Sequence, residues 1–181
     1  WRNDVSLQLT HTLLDGENFE SRRSLMLQTT RQLSPTLYAR ARYRFNDIEG
    51  FDDYSGLTGQ RHEAGASLDW NRDAWDIGIE YRIEIGDYDD DSLSATRHLL
   101  RADIERMFGA DWTVLFEVSR RHSDYDNDGS EDRSEVSLAL TRTLSSRWDL
   151  VLRHTYTDND ADQAEFDYRG NRISLGVEAA L

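Results

Sequence analysis

Trp75-Asp76-Ile77-Gly78-Ile79-Glu80-Tyr81-Arg82-Ile83-Glu84-Ile85-Gly86 decides the fold. Its odd positions are aromatic or branched-apolar, and its even positions are Gly, Asp, Glu or Arg. On a helix that order would scatter apolar side chains over every face. At a period of two it makes a strand with one apolar face and one wet face. The same alternation returns in Leu37, Ala39, Ala41, Tyr43, Phe45 against Tyr38, Arg40, Arg42, Arg44. It recurs in Val5, Leu7, Leu9, in Trp112, Val114, Phe116, Val118, and in Ile173, Leu175, Val177, Ala179, Leu181. Scanned this way, the chain predicts ten strands, at 3–13, 20–32, 36–46, 61–70, 74–86, 95–108, 111–122, 133–144, 147–157 and 169–181.

The connections fall into two kinds. Short ones at Ser34-Pro35, Asn71 to Asp73, Gly109-Ala110 and Ser145-Ser146 alternate with longer acidic ones at 14–19, 47–60, 87–94, 123–132 and 158–168. A sheet with two chemically distinct ends suits a barrel crossing an outer membrane, with short periplasmic turns and long external loops. The aromatic residues agree. Trp1, Trp75, Trp112 and Trp148 start ascending strands and Trp70 ends a descending one, so every Trp sits at the short-turn end, as an interfacial belt would. His11, His62, His98, His122 and His154 share the apolar parity near the long-loop end. Arg31, Arg106 and Arg142 share that parity just above the short turns, where a long side chain can snorkel to headgroups. The fold class expected is therefore all-β: an antiparallel up-and-down transmembrane β-barrel of about ten strands, forming one domain over 1–181 or the C-terminal part of a larger barrel. Trp1 stands where a periplasmic turn would end, which leaves room upstream for further strands or a periplasmic domain.

Composition narrows the function classes. The 181 residues carry 35 Asp+Glu against 21 basic residues, a formal charge of -14, which repels phosphate and argues against nucleic acid as a partner. With 38% hydrophobic residues the chain would pass for disordered, but 10% aromatic content requires an apolar environment. No apolar run reaches the ~20 residues of a membrane helix. Zero Cys removes disulfides, thiolate metal sites and Cys nucleophiles together.

The C-terminal strand, with Ser174, Gly176, Ala179 and Leu181, resembles the polar-x-Gly-x-x-apolar-x-apolar signal of bacterial outer-membrane barrels. It departs from the usual form in ending on Leu181 instead of Phe and in carrying Ala179 where an aromatic is common. The hairpin pattern is similar, more loosely, to the C-terminal barrels of exopolysaccharide exporters and to the barrels that sheath outer-membrane electron conduits. The resemblance implies location in the bacterial outer membrane, with membrane lipid and lipopolysaccharide as partners. It carries over no residue role.

With the apolar parity facing lipid, the wet parity lines the lumen. Arg40, Arg42 and Arg44 are expected opposite Glu63 and Asp69, with Glu80 or Glu84 meeting Arg97 or Arg101. Arg82, Asp103, Glu105, Glu117 and Arg153 complete the lumen-lining set. Every basic residue is Arg, whose planar fork suits paired carboxylates on neighbouring strands. Because acids and bases nearly balance on that face, the net charge belongs to the long loops.

One loop carries a metal-like pattern: Asp124, Asp126, Asp128, Gly129, Ser130, Asp132 and Glu135 have the spacing of a calcium loop, so calcium is the one candidate cofactor, held by these acids and the Ser130 carbonyl. No catalytic residues are assigned, because the His residues face outward and no nucleophile is paired with a base. The reading that follows is a channel, or an export pore for solute or polymer, with acidic external loops. The alternative is a closed structural or adhesive surface barrel with cation-binding loops. A hydrolase acting at the rim is the weakest of the three.

Overall fold

In the computed structural model, which describes residues 1–14, 17–127, 129–163 and 166–179, ten strands form one sheet in sequence order. They are β1 (Arg2–Leu14), β2 (Glu17–Ser34), β3 (Leu37–Gly50), β4 (Gly59–Arg72), β5 (Trp75–Tyr88), β6 (Ala95–Phe108), β7 (Trp112–Tyr125), β8 (Gly129–Ser145), β9 (Trp148–Ala161) and β10 (Tyr168–Ala179). Each neighbouring pair is antiparallel. No helix among the described residues is long and apolar enough to cross a membrane.

The register keeps one parity on one side from edge to edge. Val5 faces Leu27, Leu27 faces Tyr43, Tyr43 faces Ala64, Ala64 faces Ile83 and Ile83 faces His98. That side is the more exposed one, with Ile79 48% and Leu138 49% accessible. The wet side is the enclosed one, where Glu63 retains 3% of its surface and Asn46, Ser123 and Ser137 are buried. The buried apolar residues among those described are only Ile48, Ala95 and Ala139. This inversion of the usual globular arrangement is what a lipid solvent dictates: apolar side chains meet hydrocarbon, and polar ones meet each other and water.

At one end the reversals are tight. Asp73 (φ 54°) and Gly109 (φ 65°) take the left-handed conformation there, which Asp tolerates and Gly adopts freely. Irregular registers at Gln32/Ser34 and Thr143/Ser145 lie at the same rim. At the opposite end β3 and β4 are joined through a 3-10 helix, Asp52–Leu57. There the strands run further than the hydrophobic alternation suggested. β7 continues to Tyr125 and β8 begins at Gly129, so most of the expected loop 123–132 is paired strand. The pattern faded because both faces are polar above the lipid, while backbone pairing continued.

β1 and β10 are not paired with each other among the described residues, and both are highly exposed, with Leu7 at 80% and Ile173 at 73%. The sheet therefore has two open edges. Leu181 of the C-terminal signature lies outside the described residues, as do 15–16 and 164–165 of two expected loops.

Candidate functional site

The enclosed face of β3 to β9 is a wall of interlocked charges. Glu63 on β4 sits between Arg42 on β3, at 3.0 Å, and Arg82 on β5, at 3.5 Å. Arg42 also reaches Glu80 on β5 at 3.3 Å, passing over Gly65, whose position directly opposite both Arg42 and Arg82 leaves the gap open. Arg40 lies 3.9 Å from Asp69. Arg97 donates to Glu84 at 2.9 Å, and Arg61 stands 4.0 Å from the same carboxylate. Further round, Glu117 on β7 accepts from Arg101 on β6 and from Arg153 on β9, the latter at 3.3 Å across the small Ser137 and Ala139 of β8. Short residues on an intervening strand thus let a guanidinium span two strands.

The expected contacts of Arg40 and Arg42 with Asp69 and Glu63, and of Arg97 with Glu84, are present. Others differ. Arg44 meets the Met26 sulfur at 3.6 Å instead of a carboxylate, and Arg101 turns to Glu117 and away from Glu80. Among the described residues, Asp103 and Glu105 make no ion pair. The Asp103 carboxylate instead folds over Gly78, where a Cβ would come within 2.9 Å of Oδ1. Between these groups the wall opens into a recess of about 220 Å³ lined by Arg40, Arg42, Ser67, Asp69, Glu80, Arg101 and Asp103.

The calcium-like spacing does not gather into a cage. Asp128 lies outside the described residues, and no group of three or more acids or His among those described is placed to hold a metal. Asp124 and Asp132 point outward and flank His122, at 3.1 and 3.3 Å, and Asp132 also accepts from Arg120. Glu135 faces inward on β8 and is taken by Arg133 at 3.0 Å. The Ser130 carbonyl accepts the Asp162 amide at 3.1 Å, and Asp126 is tied through its own amide to the Ser94 carbonyl. The physical reason is the hairpin: acids two apart on a strand share a face, but those on the two arms climb away from the tip. The His122–Asp132 cluster stands on the outer surface, away from the lumen mouth, and gives no support to chemistry at the rim.

One feature of the outer surface went unseen in the sequence. Arg31 stacks on Trp1 at 4.8 Å, Arg106 on Trp75 at 4.5 Å and Arg142 on Trp112 at 5.2 Å, so the aromatic belt and the outward arginines form cross-strand pairs. The recurring spacing of 30 or 31 residues from each Trp to its Arg, on the strand that returns to the same end, was the available signal. Higher on the same surface, the Tyr43 and Tyr81 hydroxyls pair with His62 at 2.8 Å and His98 at 2.7 Å.

Solved structures share this architecture. The chain aligns with in-vitro folded OmpT, an outer membrane protein of Vibrio cholerae, at a TM-score of 0.69 and 10% identity, covering 98% of this chain and 62% of that one. Outer-membrane expressed OmpT of Vibrio cholerae gives 0.68 at 10% identity, over 88% of this chain and 56% of that. An outer membrane channel from Pseudomonas putida F1 gives 0.55 at 16% identity, over 98% and 80%. The chain thus spans a little over half the length of OmpT. We found no match among curated protein sequences. Residues 51–181, which run from the β3–β4 connection to the end of the sequence given, match the family described as "Putative beta-barrel porin 2". The chain belongs to that family and is a β-barrel protein of the bacterial outer membrane.

Proposed function

We propose that the chain forms the wall of a channel for hydrophilic solutes. The observation that carries this is the set of Arg–carboxylate pairs on the enclosed face. Its ion-pair groups follow one another from β3 to β9, and each joins side chains on neighbouring or next-neighbouring strands along the wall. Side chains held by neighbouring strands leave the space in front of them free for water. The open edges at β1 and β10, together with the partial coverage of longer barrels, favour a larger barrel in which this sheet is one arc, and about 16 strands is where an aqueous lumen appears. The acidic external rim favours cations at the mouth. We assign no catalytic step.

Planar-bilayer recording on the full-length gene product tests the reading. Steady ohmic conductance with modest cation preference is expected, the preference falling as salt screens the rim. Replacing Glu80 and Glu84 together by Gln should shift selectivity toward anions. Electrically silent insertions would overturn the channel and favour a closed display barrel. Transient current block by an added polysaccharide would widen the cargo from small solutes to an extended polymer.

A further inference from the structure

Most arginines of this chain have a carboxylate within salt-bridge distance, as expected where 35 acids face 21 bases. Arg31, Arg106 and Arg142 do not, among the described residues. Each is exposed on the lipid side, one row above a short turn, with its guanidinium over an indole of the adjacent strand. A desolvated cation needs an anion. Where the protein withholds one at the same depth in three hairpins, the surroundings supply it, and at that depth the surroundings are the phosphates of the periplasmic leaflet.

The Arg31 pair has something the other two lack. Along the register, Arg31 faces Ala39, Ala39 faces Leu68, and Leu68 faces Ile79; in the next row Thr29 faces Ala41, Ala41 faces Ala66, and Ala66 faces Tyr81. Three alanines at adjoining positions leave a depression in the outer surface. Trp1, Arg31 and Leu33 form one wall, and Leu68, Ile79, Tyr81 and Leu100 form the other, enclosing about 600 Å³. Beside Arg106 the positions of Ala39, Ala41 and Ala66 are taken by Val114, Phe116 and Leu138, and beside Arg142 by Leu150, Leu152 and Leu175, which fill the surface.

We propose that Trp1, Arg31 and the alanine-floored groove form a binding site for one diacyl phospholipid of the periplasmic leaflet. The phosphate lies on the Arg31 guanidinium, the indole holds that guanidinium at headgroup depth, and one acyl chain fills the groove. A positive head at the interface and an apolar trough that reaches one register row deeper across the neighbouring strands match the two ends of such a lipid.

The test is native mass spectrometry of the full-length protein in detergent, titrated with dioleoylphosphatidylglycerol. One tightly retained lipid is expected. Arg31→Gln should weaken its retention about tenfold, the scale of one charge-assisted hydrogen bond. Ala66→Leu, which fills the groove and leaves Arg31 in place, should weaken it comparably, and Arg106→Gln should not. Dioleoylglycerol, with the same chains and no phosphate, should not be retained. The two groove variants lie on the lipid side, and a heat-shift gel confirms that they fold. Equal losses for Arg31→Gln and Arg106→Gln would overturn the site in favour of a nonspecific lipid shell. Retention unaffected by Ala66→Leu, or retention of the phosphate-free lipid, would also overturn it. So would absence of bound lipid with an oligomer that Ala66→Leu dissociates, since the groove would then be a contact between copies of the chain.

Discussion

Glu63 is the residue on which the inner wall turns, because it is almost fully enclosed and serves two arginines at once. Removing it strands Arg82 and leaves Arg42 with Glu80 alone, in a confined, partly dehydrated space. Glu63→Gln is expected to cost about 3 kcal/mol of folding stability, the scale of one broken buried pair. Combining it with Arg42→Met should cost less than the two single losses together. Urea unfolding in lipid vesicles measures both, and strict additivity would count against a coupled ladder. At the external end, Asp90 accepts the Ser92 hydroxyl at 2.6 Å and its amide at 2.9 Å, and these bonds hold its carboxyl below the ordinary range. A carboxyl depressed on folding adds stability above its unfolded pKa, and that contribution disappears as pH falls through the folded value. Ser92→Ala should therefore raise the Asp90 midpoint, read by a carboxyl-carbon NMR titration. The Arg42–Glu63 pair was legible in the sequence because adjacent strands and matching parity were enough to place it. Arg101 with Glu117 and Arg44 with Met26 were not, since long inward side chains choose diagonally among several neighbours. The calcium spacing misled for a related reason: Asp at every second position reads alike in a coordinating loop and along a strand.

For the strands, the alternation of Ile77, Ile79, Tyr81, Ile83 and Ile85 told which side meets lipid, and the structure places each of them there. Burial then predicts a depth profile. Ile79→Arg, near the middle of β5, is expected to cost about 2–4 kcal/mol, while the same change at Trp75, at the rim, should cost about 1 or less by virtue of position. Vesicle unfolding of the two variants checks the ratio, and equal costs would mean that β5 is not inserted as described. Strand ends were less legible. Hydrophobicity marks only the part of a strand that lies in hydrocarbon, so the segments of β3, β5, β7 and β9 above the lipid read as loops. Only the backbone register shows that they remain paired.

At the scale of the molecule, ten strands in sequence order with two open edges form an arc, and unpaired edge amides are exposed to solvent or to further strands. In the full-length protein, amides of β1 at Val5, Leu7 and Leu9 are expected to exchange as slowly as those of β5, because a closed barrel gives them partners on both sides. Hydrogen exchange read by mass spectrometry tests this, and fast exchange confined to β1 and β10 would mean an open sheet. The strand extensions above the lipid also do something a flexible loop would not. They hold Asp47, Asp87, Asp124, Asp158 and Asp160, all on the outward parity, at fixed positions around the outside of the external end. Fixed negative charge on an outer surface draws a layer of counter-ions around it: cations collect there and anions are depleted. In the channel we propose, a cation approaching from outside is therefore enriched near the protein before it reaches the entrance, and an anion is held off.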